Sequence, residues 1–219
     1  MIPKIAFLFD ESNDWLNHDS NFISAEFQRD NLKIEINKFY DANKIEKFDI
    51  VFILGYTKIL PSSFLKRNAL NLVVHASDLP SGKGFAPIQH QILEGKEKIK
   101  ITLLEAVESV DSGPILLQNT LNFDGTELYD EIRSKQAQAT ILLIDKFIKL
   151  YPNFERKKQS SLPQVKEHFY PKRLPKDGEL NIEKSIKDNF NLLRLGNNKA
   201  WPSFFIYKKK KYIIKIFED

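Results

Sequence analysis

One histidine and one aspartate stand at strand-like boundaries of the sequence and could carry out proton chemistry. His75 ends the apolar run at residues 69–75, and Asp111 shortly precedes a second apolar run that begins at Gly113. Ligands of open α/β sheets bind at the carboxyl ends of the strands. A carboxylate that contacts an imidazole raises its basicity and fixes its orientation. The two side chains could therefore form a general acid–base pair, although each alone is more typical of a structural histidine and an ordinary turn.

Apolar runs and helical patterns along the chain must bring this pair together. The predicted strands are residues 4–9, 32–40, 48–54, 69–75, 100–104 and 113–118, and the predicted helices are residues 21–30, 61–66, 87–94 and 126–150. Most of the strands are continuously apolar, and they alternate with the helices. Both features are typical of a mostly parallel sheet that is covered on its two faces. The sequence therefore predicts an α/β fold.

The composition changes near residue 152 and divides the chain in two. Residues 1–152 carry the α/β pattern and the possible acid–base pair, and they are predicted to form one α/β domain. Residues 153–219 start with a segment rich in Pro, Lys, Gln and Ser, and then contain a predicted helix at 182–195 and a predicted β-hairpin at 204–216. They predict a small C-terminal extension, whose hairpin is also a candidate contact for a homodimer.

Composition excludes several classes of protein and of site. The 219 residues are 42% hydrophobic and include 17 Phe, which is enough to build a core and excludes general disorder. The absence of Cys excludes disulfides, thiolate metal sites and a cysteine nucleophile. His18, His90 and His168 lack the spacing of metal ligands, so we expect no metal.

Charge and hydropathy bear on location and partners. No apolar run is long enough to span a membrane, and the N-terminus does not resemble a secretory signal, so we expect a cytoplasmic protein without a membrane partner. The formal net charge is +4, and the excess lies late in the chain, as in residues 208–211. Such lysines are typical of a solvated surface, but they also attract anionic partners such as a phosphate-bearing small molecule or RNA. Composition leaves these two interpretations open.

Three segments resemble the signature of the folate-dependent formyltransferases. They are residues 75–80 (His-Ala-Ser-Asp-Leu-Pro), residues 84–88 (Gly-Phe-Ala-Pro-Ile) and residues 110–115 (Val-Asp-Ser-Gly-Pro-Ile). Their order and spacing also agree with that family, and the resemblance runs from Gly55 to about residue 150. The family includes methionyl-tRNA formyltransferase, glycinamide ribonucleotide formyltransferase and the sugar N-formyltransferases.

The resemblance implies a Rossmann-like domain that transfers a formyl group from N10-formyltetrahydrofolate to a primary amine. By match, His75 lies beside the formyl group, as the base or as a group that polarises the oxygen. Asp111 pairs with His75 or relays a proton through water. The backbone of residues 105–108 would contact the pterin edge. The residues implied to bind the folate cosubstrate are Tyr56, Ile59, Leu60, Phe85, Glu105, Val107 and Glu108.

One position departs from the family pattern. The family usually has Asn two residues before the histidine, and this chain has Val73 there. Asn71 lies on the same strand face but too deep, so Gln89, Ser77 or a water would have to supply the missing oxyanion donor. Loss of one such donor costs about 10²–10³-fold in rate in other enzymes. The resemblance therefore implies either an active enzyme with a substitute donor or a folate-binding relative with impaired catalysis.

The tail and the first loop bear on the identity of the amine. Residues 170–180 resemble a segment of the tRNA and sugar enzymes, and the chain stops at Asp219, where the tRNA enzyme continues into a further domain. We therefore expect a nucleotide-linked amino sugar as substrate, within glycan biosynthesis, with methionyl-tRNA as the alternative.

In the loop after the first strand, Trp15 could stack on a sugar ring and Asn13 could bind an amine or a hydroxyl. The expected substrate contacts are Asn13, Trp15, Ser77 and Lys83.

Overall fold

The computed structural model describes residues 2–13, 15–162 and 167–219. Within them the strands are β1 (Ile5–Phe9), β2 (Gln28–Arg29), β3 (Leu32–Lys33), β4 (Ile36–Phe39), β5 (Ile50–Leu54), β6 (Asn71–His75), β7 (Ser81–Gly84), β8 (Lys98–Glu105), β9 (Ile115–Asn122), β10 (His168–Tyr170), β11 (Ser203–Tyr207) and β12 (Lys210–Ile214). The α-helices are α1 (Ser20–Ser24), α2 (Ser62–Leu65), α3 (Pro87–Leu93), α4 (Tyr129–Leu150) and α5 (Ile186–Arg194). None of the described helices is long and apolar enough to cross a membrane.

A six-stranded sheet with the order β4-β1-β5-β6-β8-β9 forms the centre of the molecule. The first four strands in this order run parallel to one another, and β8 pairs antiparallel with both β6 and β9. The predicted α/β fold with a mostly parallel sheet is confirmed. Because β1, β5 and β6 are parallel, the loops that follow them lie at one edge, which is the edge where His75 ends β6.

The two faces of the sheet are covered by different clusters of apolar side chains. Along β1, Ile5, Phe7 and Phe9 belong to the larger cluster, and Ala6 and Leu8 belong to the smaller cluster on the other face. All five residues of β1 are buried. Successive side chains of a strand point to opposite faces, so a strand between two covered faces must be apolar throughout. This explains the continuous apolar run in the sequence.

Helix α4 covers the larger cluster with one long apolar face. Its buried residues are Ile132, Ala137, Ala139, Thr140, Leu143, Ile144, Phe147 and Ile148. Phe147 meets Phe52 of β5 edge-on, with the ring centroids 6.2 Å apart. The helix begins at Tyr129 rather than at residue 126, because the carboxylate of Glu127 accepts the backbone N–H groups of residues 124 and 125 and holds a turn there.

The helix predicted over residues 21–30 is wrong beyond its first part. Helix α1 ends at Ser24, and β2 and β3 then form a short hairpin. Asp30 and Asn31 connect the two strands with φ angles of +52° and +60°, a left-handed conformation that Asp and Asn tolerate better than most residues. Phe27 is still buried in the larger cluster. The apolar side chains that predicted a longer helix, such as Phe22 and Phe27, are therefore buried by a short helix followed by a hairpin.

The residues after 152 pack back onto the α/β part of the chain. The predicted helix and hairpin are confirmed as α5 and as the antiparallel pair β11 and β12. Strand β10 pairs in parallel with β7, and the two form a separate two-stranded sheet. The division into a domain at residues 1–152 and an extension at residues 153–219 stays a prediction.

Candidate active site

His75 and Asp111 lie side by side at the carboxyl end of β6. The Nδ1 atom of His75 is 3.5 Å from Oδ1 of Asp111, and each side chain is 8% exposed. On the other side of the imidazole ring, Nε2 lies 2.8 Å from the carbonyl oxygen of Gly82. The structure therefore brings the two predicted catalytic residues together in a nearly buried position. We call His75 and Asp111 the catalytic pair.

The Gly82 carbonyl determines which nitrogen of His75 carries a hydrogen. A carbonyl oxygen only accepts hydrogen bonds, so Nε2 must be the donor. In the neutral ring Nδ1 then keeps the lone pair, and Nδ1 is the nitrogen that faces Asp111. A proton taken up at Nδ1 gives an imidazolium, whose charge the neighbouring carboxylate stabilises. General-base chemistry at Nδ1 therefore requires the substrate nitrogen to reach the side of the ring that faces Asp111.

The turn at residues 109–113 fixes the position of Asp111. Its Oδ2 accepts the backbone N–H of Gly84 at 2.9 Å, while Oδ1 is the atom nearest His75. Asp111 has a φ of +53°, the left-handed conformation that Asp tolerates. Its carbonyl oxygen accepts the side-chain amide of Gln159 at 2.8 Å. Both the carboxylate and the backbone of Asp111 are therefore held.

Gly113 permits the close approach that closes this turn. A Cβ atom at this position would lie 1.8 Å from the carbonyl oxygen of Glu105, so a side chain does not fit. The N–H of Glu105 donates to the carbonyl of Pro114 at 3.0 Å, and Gln159 also donates to the carbonyl of Gly113 at 2.9 Å. Residues 106–113 thus form a closed loop between β8 and β9 that folds back to place Asp111 beside the imidazole.

Apolar residues of two loops meet beside β6 and form what we call the apolar wall. Tyr56 and Leu60, from the loop after β5, are half-buried on the smaller cluster. Ala106, after β8, and Val73, within β6, pack on the same cluster. Val73 stands two residues before His75, so both side chains leave β6 on the same face. An apolar surface next to polar catalytic groups is typical of a small-molecule site.

The remaining residues predicted to bind the cosubstrate differ in exposure. Three apolar side chains and one carboxylate are exposed: Ile59, Phe85, Val107 and Glu108. Large apolar side chains that the protein leaves uncovered are available to a ligand. The carboxylate of Glu105, in contrast, pairs with Arg156 at 2.7 Å. The Glu105 carboxylate therefore already has a partner within the protein, and so does its backbone N–H, which donates to the carbonyl of Pro114.

Val73 presents an apolar side chain at the position where the family pattern has an amide. Asn71, the next polar side chain on this strand face, is buried and donates through Nδ2 to the carbonyl of Leu65 at 2.9 Å. Its depth in the sheet agrees with the sequence interpretation. With its amide oriented to satisfy both neighbours, Gln89 accepts from Arg133 at 2.6 Å. In this arrangement neither amide is directed to replace the missing donor.

Asn13 and Trp15 lie in the loop after β1, next to the turn that follows β5. Asn13 donates through Nδ2 to the carbonyl of Gly55 at 2.8 Å. Trp15 packs on the larger cluster, and the guanidinium of Arg133 lies 4.7 Å from its ring centroid. Both side chains thus have partners within the protein, and their contact with a substrate stays a prediction.

Asp10 ties the loop after β1 to the loop after β5. Its buried carboxylate accepts hydrogen bonds from the backbone and the hydroxyl of both Ser12 and Thr57. Burial by itself raises the pKa of Asp10, but these four hydrogen bonds outweigh it and hold the pKa well below its ordinary range. Asp10 therefore stays ionised and fixes the two loops that carry Asn13 and Tyr56.

Ser77 and Lys83 are buried in the packing around the catalytic pair. Ser77 is 1% exposed, and its Oγ forms no hydrogen bond with any described residue. Lys83 is 3% exposed, and its Nζ donates to Oγ of Ser112 at 3.0 Å and to Oε1 of Glu167 at 2.8 Å. The ammonium thus contacts the neighbour of Asp111 rather than solvent. The expected contact of both residues with a substrate stays a prediction.

Gln159 and Arg133 contact this site although the sequence interpretation gave them no role. Gln159 binds the backbone of the Asp111 turn from a distance of 48 residues along the chain, and no local pattern connects the two segments. Arg133 lies on α4 between Trp15 and Tyr129, with its guanidinium 4.7 Å and 5.2 Å from the two ring centroids. The spacing of Tyr129 and Arg133 on one helix face was the only signal for that contact.

The fold and the site together define the class of this protein. It is an α/β protein with a mostly parallel sheet and an enzyme-like imidazole–carboxylate pair at the end of a strand. The formyl transferase family model matches residues 11–144 of the chain. A methionyl-tRNA formyltransferase from Caldicellulosiruptor saccharolyticus is 31% identical over 185 residues, which cover 83% of this chain and 57% of the relative. The chain therefore belongs to the formyl transferase family, and it spans little more than half the length of that relative.

Solved structures share the fold at low sequence identity. A methionyl-tRNA formyltransferase from Clostridium thermocellum has a TM-score of 0.75 at 16% identity, covering 97% of this chain and 91% of that one. HypX from Aquifex aeolicus in complex with tetrahydrofolic acid has a TM-score of 0.71 at 15% identity, covering 99% and 38%. A sugar N-formyltransferase from a Shewanella species has a TM-score of 0.64 at 18% identity, covering 98% and 97%. The expected Rossmann-like architecture is confirmed.

Proposed function

We propose that the chain transfers a formyl group from N10-formyltetrahydrofolate to a primary amine. The observation that carries the proposal is the catalytic pair, in which the imidazole of His75 lies between the Gly82 carbonyl and Asp111. Membership of the formyl transferase family supports the reaction, and the fold shared with HypX in complex with tetrahydrofolic acid supports the cosubstrate. When bound, the folate supplies an activated formyl group, and the other steps depend on residues of this chain.

The surroundings of the catalytic pair fit a flat aromatic ring. The apolar wall includes Tyr56 and Leu60, and Ile59, Phe85 and Val107 leave further apolar surface uncovered. A pterin ring that covered these side chains would remove apolar area from water, which contributes roughly 25 cal/mol per Å². The N–H groups of Glu105 and Ala106 already donate to Pro114 and Asn71, so in this proposal the backbone groups of residues 107 and 108 are the polar partners for the ring edge.

His75 acts as the general base in this proposal. A primary amine that attacks a formyl carbon must lose a proton, and Nδ1 carries the lone pair that accepts it. Asp111, 3.5 Å away, then stabilises the imidazolium. Proton transfer of this kind typically contributes about 10²–10⁴-fold to a rate. The pair is nearly buried, so its charges are screened less than they would be in water.

The negative charge that develops on the formyl oxygen needs a hydrogen-bond donor. Val73 offers none, and the amides of Asn71 and Gln89 have partners inside the protein. Transfer therefore runs more slowly than in a family member with the usual amide, unless the buried hydroxyl of Ser77, which forms no hydrogen bond with a described residue, supplies the donor. The second candidate function, a folate-binding relative with impaired catalysis, rests on this same observation.

The amine substrate in this proposal is a nucleotide-linked amino sugar. Trp15 supplies an aromatic ring and Asn13 an amide in a loop at the same sheet edge as His75, and aromatic rings with amides suit sugar recognition. The fold shared with a sugar N-formyltransferase supports this choice. The similarity to a methionyl-tRNA formyltransferase, together with the exposed lysines at residues 208–211, supports the tRNA alternative.

The test combines binding and transfer. The protein is titrated calorimetrically with a stable analogue of N10-formyltetrahydrofolate, and then incubated with N10-formyltetrahydrofolate and either nucleotide-linked 3-amino and 4-amino sugars or methionyl-tRNA. Mass spectrometry measures formylation of the amine. Formylation of an amino sugar that is lost in His75→Gln supports the proposal. Folate binding without transfer supports the impaired relative, and absence of both binding and transfer overturns the proposed function.

A further inference from the structure

We infer that Tyr170 is a positioning residue for the catalytic pair, and that it acts through the backbone of β7. The inference rests on the proposed function for its catalytic consequence. It also predicts a structural effect on the imidazole of His75 that can be measured without any turnover. Tyr170 lies in the part of the chain after residue 152, so the inference makes β10 a component of the active site.

Strand β7 makes a backbone contact with each member of the catalytic pair. The carbonyl of Gly82 accepts from Nε2 of His75 at 2.8 Å, and the N–H of Gly84 donates to Oδ2 of Asp111 at 2.9 Å. A shift of β7 therefore changes the proton-bearing nitrogen of the base and the orientation of its carboxylate at the same time.

Strand β7 lies outside the central sheet and is held by β10. The two strands form a separate two-stranded sheet, in which Phe169 pairs with Lys83 and Tyr170 pairs with Gly84. The N–H of Phe85 also donates to the carbonyl of Tyr170 at 3.0 Å. The position of β7 relative to His75 and Asp111 thus depends on the position of Tyr170.

The two glycines of β7 let Tyr170 approach closely. A Cβ atom at Gly82 would lie 3.0 Å from Cε2 of the Tyr170 ring, and a Cβ atom at Gly84 would lie 2.5 Å from the Tyr170 carbonyl oxygen. The φ angles are +77° and +94°, which side chains rarely adopt. The ring and the backbone of Tyr170 are therefore in direct contact with the two residues that hold the catalytic pair.

The Tyr170 side chain is itself fixed from several sides. It is 6% exposed, and its hydroxyl donates to the carboxylate of Glu94 at 2.9 Å and 3.1 Å. Its ring stacks on His90 with centroids 4.7 Å apart and an interplanar angle of 2°, and His168 meets it edge-on at 4.7 Å. Two further hydrogen bonds hold β7: Nζ of Lys83 donates to Ser112 in the Asp111 turn and to Glu167, which directly precedes β10. Tyr170 is thus the buried anchor of β10.

The experiment compares Tyr170→Ala with Tyr207→Ala, the same change at a half-exposed tyrosine of the hairpin. The first measurement is ¹⁵N NMR of the imidazole of His75 in labelled protein, assigned with His75→Gln. We expect the wild type and Tyr207→Ala to show a hydrogen on Nε2 and a lone pair on Nδ1. In Tyr170→Ala, loss of the Gly82 contact should give a mixture of the two tautomers.

The second measurement separates kcat from KM for formyl transfer. A displacement of about 1 Å in a catalytic group costs on the order of 10²-fold, so Tyr170→Ala should lower kcat about 10- to 100-fold with KM for folate close to that of the wild type. Wild-type ¹⁵N shifts and wild-type kcat in folded Tyr170→Ala overturn the inference. If the wild type itself transfers no formyl group, the proposed function fails, and the ¹⁵N shifts still decide the positioning role.

A second pair of variants decides the matter if Tyr170→Ala does not fold. Tyr170→Phe and Glu94→Ala each remove the hydroxyl–carboxylate bond and keep the aromatic ring. We expect equal losses in kcat of about 3- to 10-fold for the two variants, and no further loss in the double variant, because they break the same hydrogen bond. Wild-type kcat together with wild-type ¹⁵N shifts in both single variants overturns the inference.

Discussion

The imidazole of His75 donates from Nε2 to the carbonyl oxygen of Gly82 at 2.8 Å, which leaves Nδ1 as the nitrogen beside Asp111. A backbone carbonyl therefore selects the nitrogen that keeps the lone pair, and a positive charge that formed there would be stabilised by the neighbouring carboxylate. Because Gly82 belongs to β7 and β7 pairs with β10, this hydrogen bond depends on two segments that lie far apart in the sequence, residues 81–84 and residues 168–170.

Asp111→Asn removes a charge but keeps an acceptor for the N–H of Gly84. We expect kcat for formyl transfer to fall about 10²–10⁴-fold, because the imidazolium of His75 loses its counter-charge. KM for folate should change little, since Asp111 is not part of the apolar wall. Steady-state release of tetrahydrofolate at saturating amine measures both constants. The control is Asp78→Asn, at an exposed carboxylate that pairs with Lys100 at 3.0 Å, and a wild-type kcat in Asp111→Asn would contradict the role of the pair.

Gly113→Ala should displace the loop that carries Asp111. The new Cβ atom would lie 1.8 Å from the Glu105 carbonyl, and such overpacking costs about 1–3 kcal/mol in unfolding free energy. Urea denaturation measures that loss, and kcat should fall with it because Asp111 moves away from the imidazole. Gly95→Ala is the control: its φ is +77° with no atom within 4 Å, so it should cost about 1–2 kcal/mol through backbone strain alone and leave kcat unchanged. An unchanged kcat in Gly113→Ala would contradict the prediction.

The order of strands and helices was predictable because burial on two faces leaves a clear mark on the sequence. Strands β1 and β5 are buried at all five positions, and only continuously apolar runs satisfy that environment. Helix α4 has a long periodic face that packs on the larger cluster. The short elements were less clear, since residues 25–33 bury Phe27 equally well in a hairpin.

The way in which Asp111 reaches His75 could not be read from local patterns. Strand β8 is antiparallel to β6, and β9 is antiparallel to β8, so the start of β9 lies at the opposite edge of the sheet from the end of β6. Asp111 precedes β9 and meets the imidazole only because the loop at residues 106–113 folds back. The periodicity of a sequence does not show the direction of a strand in the sheet. It also does not show that β7 pairs with β10, because the two strands lie far apart in the sequence.

Glu127→Ala should destabilise the contact between the start of α4 and α5. Glu127 lies buried between Lys135 and Arg194, and Nη1 of Arg194, itself 3% exposed, is 3.5 Å from its Oε2. The variant leaves the arginine charge buried without its carboxylate, so the unfolding free energy should fall by about 3–5 kcal/mol. Asp145→Ala is the control at the more exposed pair of Asp145 with Lys149 and should cost less than about 1 kcal/mol. Equal, small losses in urea denaturation would show that the buried pair is not stabilising.

Asp10→Asn should make the pH dependence of stability flatter. The pKa of Asp10 is lowered on folding, so its contribution to stability is complete above the unfolded-state pKa of about 3.9 and is lost as the pH falls toward the folded-state pKa. At pH 7 the variant should be about 1–3 kcal/mol less stable, because the hydrogen bonds from Ser12 and Thr57 lose a charged acceptor. The difference should shrink below about pH 4, as measured by thermal unfolding across pH. A difference that stays constant from pH 7 to pH 3 would contradict the lowered pKa, and Asp78→Asn serves as the exposed control.

Val73→Asn should raise the rate of formyl transfer. Val73 is half-buried in the apolar wall and leaves β6 on the same face as His75, where an amide would supply the donor that the formyl oxygen lacks. One donor of this kind is worth about 10²–10³-fold in other enzymes, so we expect kcat to rise at least about tenfold. The amide also replaces apolar surface, so stability should fall by about 1–3 kcal/mol. Val73→Leu is the apolar control and should show no gain, and the double variant with His75→Gln should be inactive. If Val73→Asn folds and binds folate without any gain in kcat, the developing charge already has a donor, and the second candidate function, the impaired folate-binding relative, loses the observation that supports it.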